Sequence, residues 1–222
     1  MAAVRGPALT FDAWLRLREP ADAAARSLDL VDLVLPHLPT GRRRLIVHDL
    51  GCGSGSMARW LAPRLPGPQH WVLYDRDPDL LALAAGDPPA AAADGTPVTV
   101  ETRCHDITRL PADALTGAAL VTASALLDMF TAEELGRFVA TCAASGCPSL
   151  LALSVTGEVR LDPEDPLDRV VGAAFNAHQR RLTDRGPLLG PDALTAAADA
   201  FSALGTRVIL RPSPWRLSPS RA

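Results

Sequence analysis

Three glycines at alternate positions, Gly51, Gly53 and Gly55, follow the short apolar stretch LIVHDL and lead into a helix-like segment that begins at Ser56. Glycine accepts positive φ and has no Cβ, so such a loop lets the backbone approach a ligand closely. Asp49 stands just before the loop, and Asp75 directly follows the next apolar stretch, HWVLY. A carboxylate at the end of a second strand can accept both hydroxyls of a ribose. One at Asp49 would repel a pyrophosphate and welcome a cationic, amino-acid-like group. The ligand implied is positively charged at one end and adenosine-like at the other. A dinucleotide fingerprint, G-x-G-x-x-G/A, needs Gly or Ala at position 56, where this chain has Ser56. Asp49 also has a purely structural reading, as a cap for the helix that follows.

VHDLGCGSG resembles the first motif of the class I S-adenosylmethionine-dependent methyltransferases. LYDRDPDLL is similar to their second-strand motif and RCHDI to their third, and the resemblance covers roughly residues 45–155. It implies that Gly51, Gly53 and Gly55 cradle the methionine portion of S-adenosyl-L-methionine, with Asp49 near its amino group. It further implies that Asp75 binds the ribose, that Asp106 receives the adenine amino group, and that Ser124 faces the transferred methyl. Arg76 occupies a place where the family often has an apolar residue against adenine; its guanidinium either stacks there or points into water. The stretches AFNAHQRR, LLGPDAL and SPWRL are similar to a generic bacterial subgroup of the family, which names no substrate.

Methyl transfer from a sulfonium needs an in-line nucleophile and exclusion of water, and a base only when the acceptor is a hydroxyl or a protonated amine. TASALLDMF, residues 122–130, lacks the (N/D)-P-P-(Y/F) sequence used on many planar nitrogens, which disfavours DNA-base and protein-glutamine methylation. Asp128 in that stretch orients an acceptor, contacts the cofactor or simply opens a helix. In AAFNAHQRR, residues 173–181, Asn176 and Arg180 share one helix face and Phe175 and Gln179 another, with His178 between them. His178 is the first choice for a general base, with Asp128 the second catalytic candidate and Asn176, Gln179 and Arg180 as substrate-binding residues. His48 reads as a core histidine and Trp215 as a packing residue, while His105, beside Asp106, ranks low, with contact to the cofactor as its minor reading.

The elements that must hold these groups alternate strand and helix, which implies a doubly wound, mostly parallel α/β sheet with a Rossmann-like methyltransferase fold. Strands are expected at 45–50, 70–74, 98–104, 118–123, 149–155 and 206–210. Helices are expected at 56–65, 78–85, 131–144, 165–181 and 191–204. Pro63 should disturb the end of the first of these, and Thr131 with Glu134 forms a capping box for the third. Residues 9–38 read as two helices separated at Pro20. The chain divides into an N-terminal helical segment (1–40), a cofactor-binding core (41–160) and substrate-side helices with an edge strand (161–222), all in one domain. Pro212, Pro214 and Pro219 remove backbone donors after that edge strand. The expectation is therefore six strands, with the last strand pair incomplete and its slot either closed or filled by a partner such as a second copy.

The 222 residues are 48% hydrophobic, enough for a substantial core, and carry a net charge of −3. That balance gives no basic footprint for nucleic acid or an anionic membrane. All 22 basic residues counted as lysine or arginine are arginine, and Arg42–Arg44 reads as a solvated collar before the first strand. Cys52, Cys104, Cys142 and Cys147 show no metal-ligand spacing, and no metal is expected. Residues 1–10 lack an apolar core for a leader, and the expected location is cytoplasmic. The reading is methyl transfer to an O, N or C nucleophile of a small molecule. Its alternatives are an RNA or protein methyltransferase, or a non-catalytic S-adenosylmethionine-binding subunit completed by a partner.

Overall fold

A strand covered on both faces must be apolar on both, and LIVHDL meets that demand: β1 (Leu45–Leu50) is buried along almost its whole length. The computed structural model describes residues 9–41, 43–111 and 113–218; Arg42 of the arginine collar, Pro219 and residues 1–8 lie outside these ranges. After two N-terminal helices, α1 (Phe11–Ala25) and α2 (Leu28–Val34), the chain runs β1, α3 (Ser56–Leu61), β2 (Gln69–Asp75), α4 (Pro78–Gly86) and β3 (Val98–Cys104). It then reverses across β1 to β4 (Leu120–Ser124), α5 (Ala132–Ala144) and β5 (Ser149–Ala152). The five strands form one parallel sheet in the order β3-β2-β1-β4-β5.

Alternate residues of β1, β2, β4 and β5 feed two cores, and the edge strand β3 adds Val98 and Val100 to the first. Val47, Trp71, Leu73 and Leu120 pack with Val31, Met57, Leu61 and Leu81 of α2, α3 and α4 on one face. Leu50, Val72, Tyr74, Val121 and Ala123 pack on the other face with Phe138, Val139 and Phe201, the last from α7 (Ala193–Ala203). The direction of travel reverses between β1 and β4, so their carboxyl ends open a crevice between the layers, where open α/β sheets bind ligands.

Local signals are realised closely. Pro63 ends α3 in a single 3-10 turn, Ala62–Arg64. Thr131 and Glu134 form both halves of the capping box, the backbone of Glu134 donating to Thr131 and the backbone of Thr131 donating to Glu134.

Three expectations are corrected. Pro20 does not divide the N-terminal helices; α1 runs through it and breaks at Arg26. The proline removes the bond to the Arg16 carbonyl, but Arg18 spans the site with two hydrogen bonds to the buried Asp22. The strand expected at 206–210 is not formed, so the main sheet has five strands among the described residues and not six. Thr206 is instead tied back to the Phe201 carbonyl, and Val208 packs onto the α5/α7 core. β5 also ends early, before Leu153, which takes a left-handed φ of 59°. A short hairpin that the sequence pattern did not show, β6 (Leu182–Thr183) with β7 (Gly186–Pro187), follows α6 (Asp168–Gln179). Among the described residues no helix is long and apolar enough to cross a membrane.

Candidate functional site: a cofactor pocket at the carboxyl ends of the strands

A cavity of about 530 Å³ lies where β1, β2 and β4 end. Its floor is the glycine loop. Gly51 has φ 72°, and a Cβ there would come within 2.9 Å of a Leu126 methyl, so any side chain would strain the backbone and intrude on Leu126. Gly55, at φ 86°, caps α3 and packs so closely on Ala84 that a Cβ would lie 3.2 Å away.

Asp49 is 1% exposed. Its Oδ1 accepts a 2.6 Å hydrogen bond from the Thr122 hydroxyl on β4, while its buried Oδ2 has no partner among the described residues. Burial raises its carboxyl to about 6, against the pull of Thr122 and the positive charge of Arg26. An unpaired buried carboxylate oxygen is an unfavourable arrangement on its own and a favourable one beside a cation.

Asp75 ends β2 with both oxygens already aimed. Oδ2 accepts from Gly53 N at 2.8 Å and Oδ1 from Asp77 N at 3.0 Å, leaving a lone pair on each for a ligand hydroxyl. Asp77, two residues on, caps α4 through the backbone of Asp79 and Leu80. Asp106 lines the far end of the cavity. Burial would raise it, but the backbone and hydroxyl of Thr108, with Arg109 and Arg76 nearby, hold it below its ordinary value. Arg76 and His105 line the same end. Ser124 closes β4, and its hydroxyl accepts from Arg26 at 3.2 Å.

Asp128 faces the cavity from the single turn Leu127–Met129. Its Oδ1 is buried without a partner, and burial raises its carboxyl despite the charges of Arg18 and Arg181. Of the two catalytic candidates it is the one on the cavity wall. The structure does not bring the α6 cluster to this pocket. His178 is exposed, Asn176 donates to the Gly157 carbonyl at 3.0 Å, and Arg180 forms a two-bond ion pair with Asp192. Gln179 packs against Gly190, where a Cβ would meet it at 3.0 Å. Asn176, Gln179 and Arg180 thus hold α6 against its neighbouring loops.

The opposite wall was not visible in the motifs. Phe11, Trp14, Leu15, Arg18 and Asp22 form one stripe of α1 along the cavity. Behind Ser124 and Ser56 lies Arg26, only 4% exposed, which bonds both hydroxyls and sits over the Trp60 ring. It separates the cofactor cavity from a larger groove of about 1050 Å³ between β5 and residues 209–217, which contains none of the glycine-loop residues. His48 is a core residue, bonded to the Tyr74 hydroxyl and lowered to about 4 by burial and by Arg103. Cys52 and Cys142 are buried, Cys147 is half-buried and Cys104 is exposed. Among the described residues no cluster of His, Cys, Asp and Glu has the arrangement of a metal site.

The donor set fits S-adenosylmethionine. It offers an unpaired buried carboxylate for an ammonium, a glycine floor without Cβ atoms, and two aimed carboxylate oxygens for ribose hydroxyls. With its strand order and switch point, the chain has the Rossmann-like methyltransferase fold. Residues 47–147 match the family model described as a methyltransferase domain.

Among solved structures, the chain is similar to an O-methyltransferase family protein from Burkholderia thailandensis, at 22% identity and a TM-score of 0.51, over 85% of this chain and 52% of that one. It is similar to a mycolic acid cyclopropane synthase complexed with SAH and CTAB, at 12% identity and a TM-score of 0.50, over 80% and 60% of the two chains. It is also similar to a protein described as a pericyclic reaction enzyme, at 16% identity and a TM-score of 0.51, over 79% and 42%. The chain thus spans about half the length of these structures. No curated protein matches it.

Proposed function

We propose that the protein binds S-adenosyl-L-methionine and transfers its methyl group to an O, N or C nucleophile of a small molecule. The observation that carries this reading is Asp49, a buried carboxylate with one oxygen unpaired, set against a glycine floor and in line with Asp75. A zwitterionic, cationic ligand with a ribose satisfies both acids at once; a dinucleotide satisfies only the second.

The cofactor supplies an electrophilic methyl on a sulfonium. This chain's own residues then have three tasks. Gly51, Gly53 and Asp49 hold the amino-acid end, Asp75 fixes the ribose, and Asp106 lies at the adenine end. Ser124, held by Arg26, marks the end of β4 at the reacting centre. Asp128, unpaired and with a raised carboxyl, can accept a hydrogen bond or a proton from an acceptor hydroxyl or amine entering beside Met129. Phe11 and Trp14 of α1 help to exclude water from that side.

Titration calorimetry with S-adenosylmethionine, S-adenosylhomocysteine and NAD tests the proposal. Binding of the first two and not the third is expected. Tight NAD binding with no response to the others would overturn it. A second reading, a binding subunit without turnover, is favoured by the edge of β5, unpaired among the described residues, along the 1050 Å³ groove. Cofactor binding without methylation of any member of a broad small-molecule panel would support it.

A further inference from the structure

Asp22 is the meeting point of two distant segments of the chain. It is 4% exposed and takes three hydrogen bonds. Arg18 Nε donates to Oδ2 at 2.9 Å, an Arg18 terminal nitrogen donates to Oδ1 at 3.1 Å, and the indole Nε1 of Trp215 donates to Oδ1 at 3.0 Å. The Arg18 guanidinium carbon also lies 5.1 Å from the centroid of the Trp215 ring. A planar guanidinium gripped at one edge and stacked on one face has little rotational freedom left. Its other terminal nitrogen has no hydrogen-bond partner among the described residues, and Arg18 lines the cofactor cavity.

The amino-acid end of the ligand carries an ammonium and a carboxylate. Asp49 suits the ammonium, so the carboxylate needs a cation nearby. Three arginines line the cavity. Arg76 follows Asp75 and lies at the Asp106 end, and Arg185 is committed to Glu134 at 2.7 Å. Arg18 remains; it is bonded to Asp22, and its charge reaches both Arg26, which the charge of Asp49 also reaches, and Asp128.

We propose that Arg18 binds the carboxylate of the cofactor's methionine portion, and that Trp215, acting through Asp22, is the positioning residue that aims it. The proposal rests on the S-adenosylmethionine reading above. The segment after α7, whose described residues add no strand to the sheet, thereby contributes to cofactor recognition through a single indole N–H.

Calorimetry with two ligands separates this role from a merely structural one. S-adenosylhomocysteine has the amino-acid group, whereas 5′-methylthioadenosine keeps the adenosine and sulfur without it. Arg18→Gln is expected to weaken S-adenosylhomocysteine about tenfold or more, the effect of losing a charge-assisted pair, and to leave 5′-methylthioadenosine within about twofold. Trp215→Phe keeps a ring under Arg18 and removes only the N–H; it should weaken S-adenosylhomocysteine about threefold to fivefold, again with 5′-methylthioadenosine unchanged. Arg18→Lys should recover some of the loss.

Equal weakening of both ligands in either variant would show a structural role and overturn the proposal, as would undiminished S-adenosylhomocysteine binding in Arg18→Gln. If the unaltered protein binds neither ligand, the cofactor reading itself fails and takes this one with it. That outcome is distinct from a failure confined to the variants. Should Trp215→Phe fold poorly, by thermal unfolding, Arg18→Gln alone decides.

Discussion

Replacing Asp49 with asparagine should stabilise the ligand-free protein at neutral pH while abolishing cofactor binding. Burial lifts the Asp49 carboxyl from an ordinary 3.8 to about 6. A carboxyl whose pKa is higher in the folded state favours folding while it is protonated. Its contribution is complete below the unfolded value and is lost as pH rises through the folded one. The difference between the two values corresponds to about 3 kcal/mol, of which about 2 kcal/mol falls between about pH 4 and about pH 8. Asparagine does not titrate. Its oxygen can still accept from Thr122, but its amide N–H groups would replace the unpaired Oδ2 in a buried position, costing about 1–2 kcal/mol at every pH. Asp49→Asn should therefore be the less stable protein near pH 4 and slightly the more stable near pH 8. Urea unfolding followed by tryptophan fluorescence, run on both proteins across that range, gives the difference curve directly. Two parallel stability curves would refute the reasoning, because they would mean that Asp49 is not held as an unpaired buried acid. Added S-adenosylhomocysteine supplies a second arm. Its ammonium should favour ionised Asp49, so binding to the unaltered protein should weaken as pH falls below about 6.

Asp75→Ala should weaken S-adenosylhomocysteine binding by more than about tenfold, through loss of two hydrogen bonds to the ribose. Asp77→Ala should instead lower stability by about 1 kcal/mol, by uncapping α4, with binding nearly intact. Equal binding losses at the two positions, by calorimetry, would show the ribose site to be misplaced. Thr131→Ala should cost about 1 kcal/mol of stability in denaturant unfolding, since it removes one half of the α5 capping box. In native protein a thiol reagent should label the exposed Cys104 first, while Cys52 and Cys142, whose thiols burial pushes up, react only on unfolding; peptide mapping of the labelled sites would check the order.

The features of the fold legible in the sequence are those decided by near neighbours. The capping box at Thr131, the irregular turn at Pro63 and the glycine loop each depend on residues a few positions apart. Asp49, Asp75 and Asp106 could be placed because a parallel sheet brings successive strand ends to one edge, whatever the details of packing. Pro20 misled because its effect on α1 is offset by Arg18 and the buried Asp22, a tertiary circumstance. The strand expected at 206–210 has suitable residues, but its backbone is drawn to the end of α7 and the core beneath it, and no ladder forms. The α6 cluster was spaced correctly for one helix face, yet nothing in that spacing reveals what the face meets. In the structure it meets Gly157 and Asp192. The α1 wall went unseen for the same reason: an amphipathic stripe announces a buried face and is silent about whether protein or ligand covers it.

The stripe of α1 along the cavity carries a kinetic consequence. Its first half, from Phe11 to Arg18, stands over the cavity, and the one proline in the helix follows directly at position 20. Arg59 grips Glu19 with two hydrogen bonds at that junction. Ahead of it the backbone lacks the bond that Pro20 cannot make. With the proposed cofactor in the cavity, its exchange is expected to depend on how often the leading turns of α1 lift, and not only on how fast small molecules diffuse. Residence time should shorten when the Glu19 grip is removed and lengthen when the helix is made continuous by a residue with an N–H at position 20, even where neither change alters a group that touches the ligand.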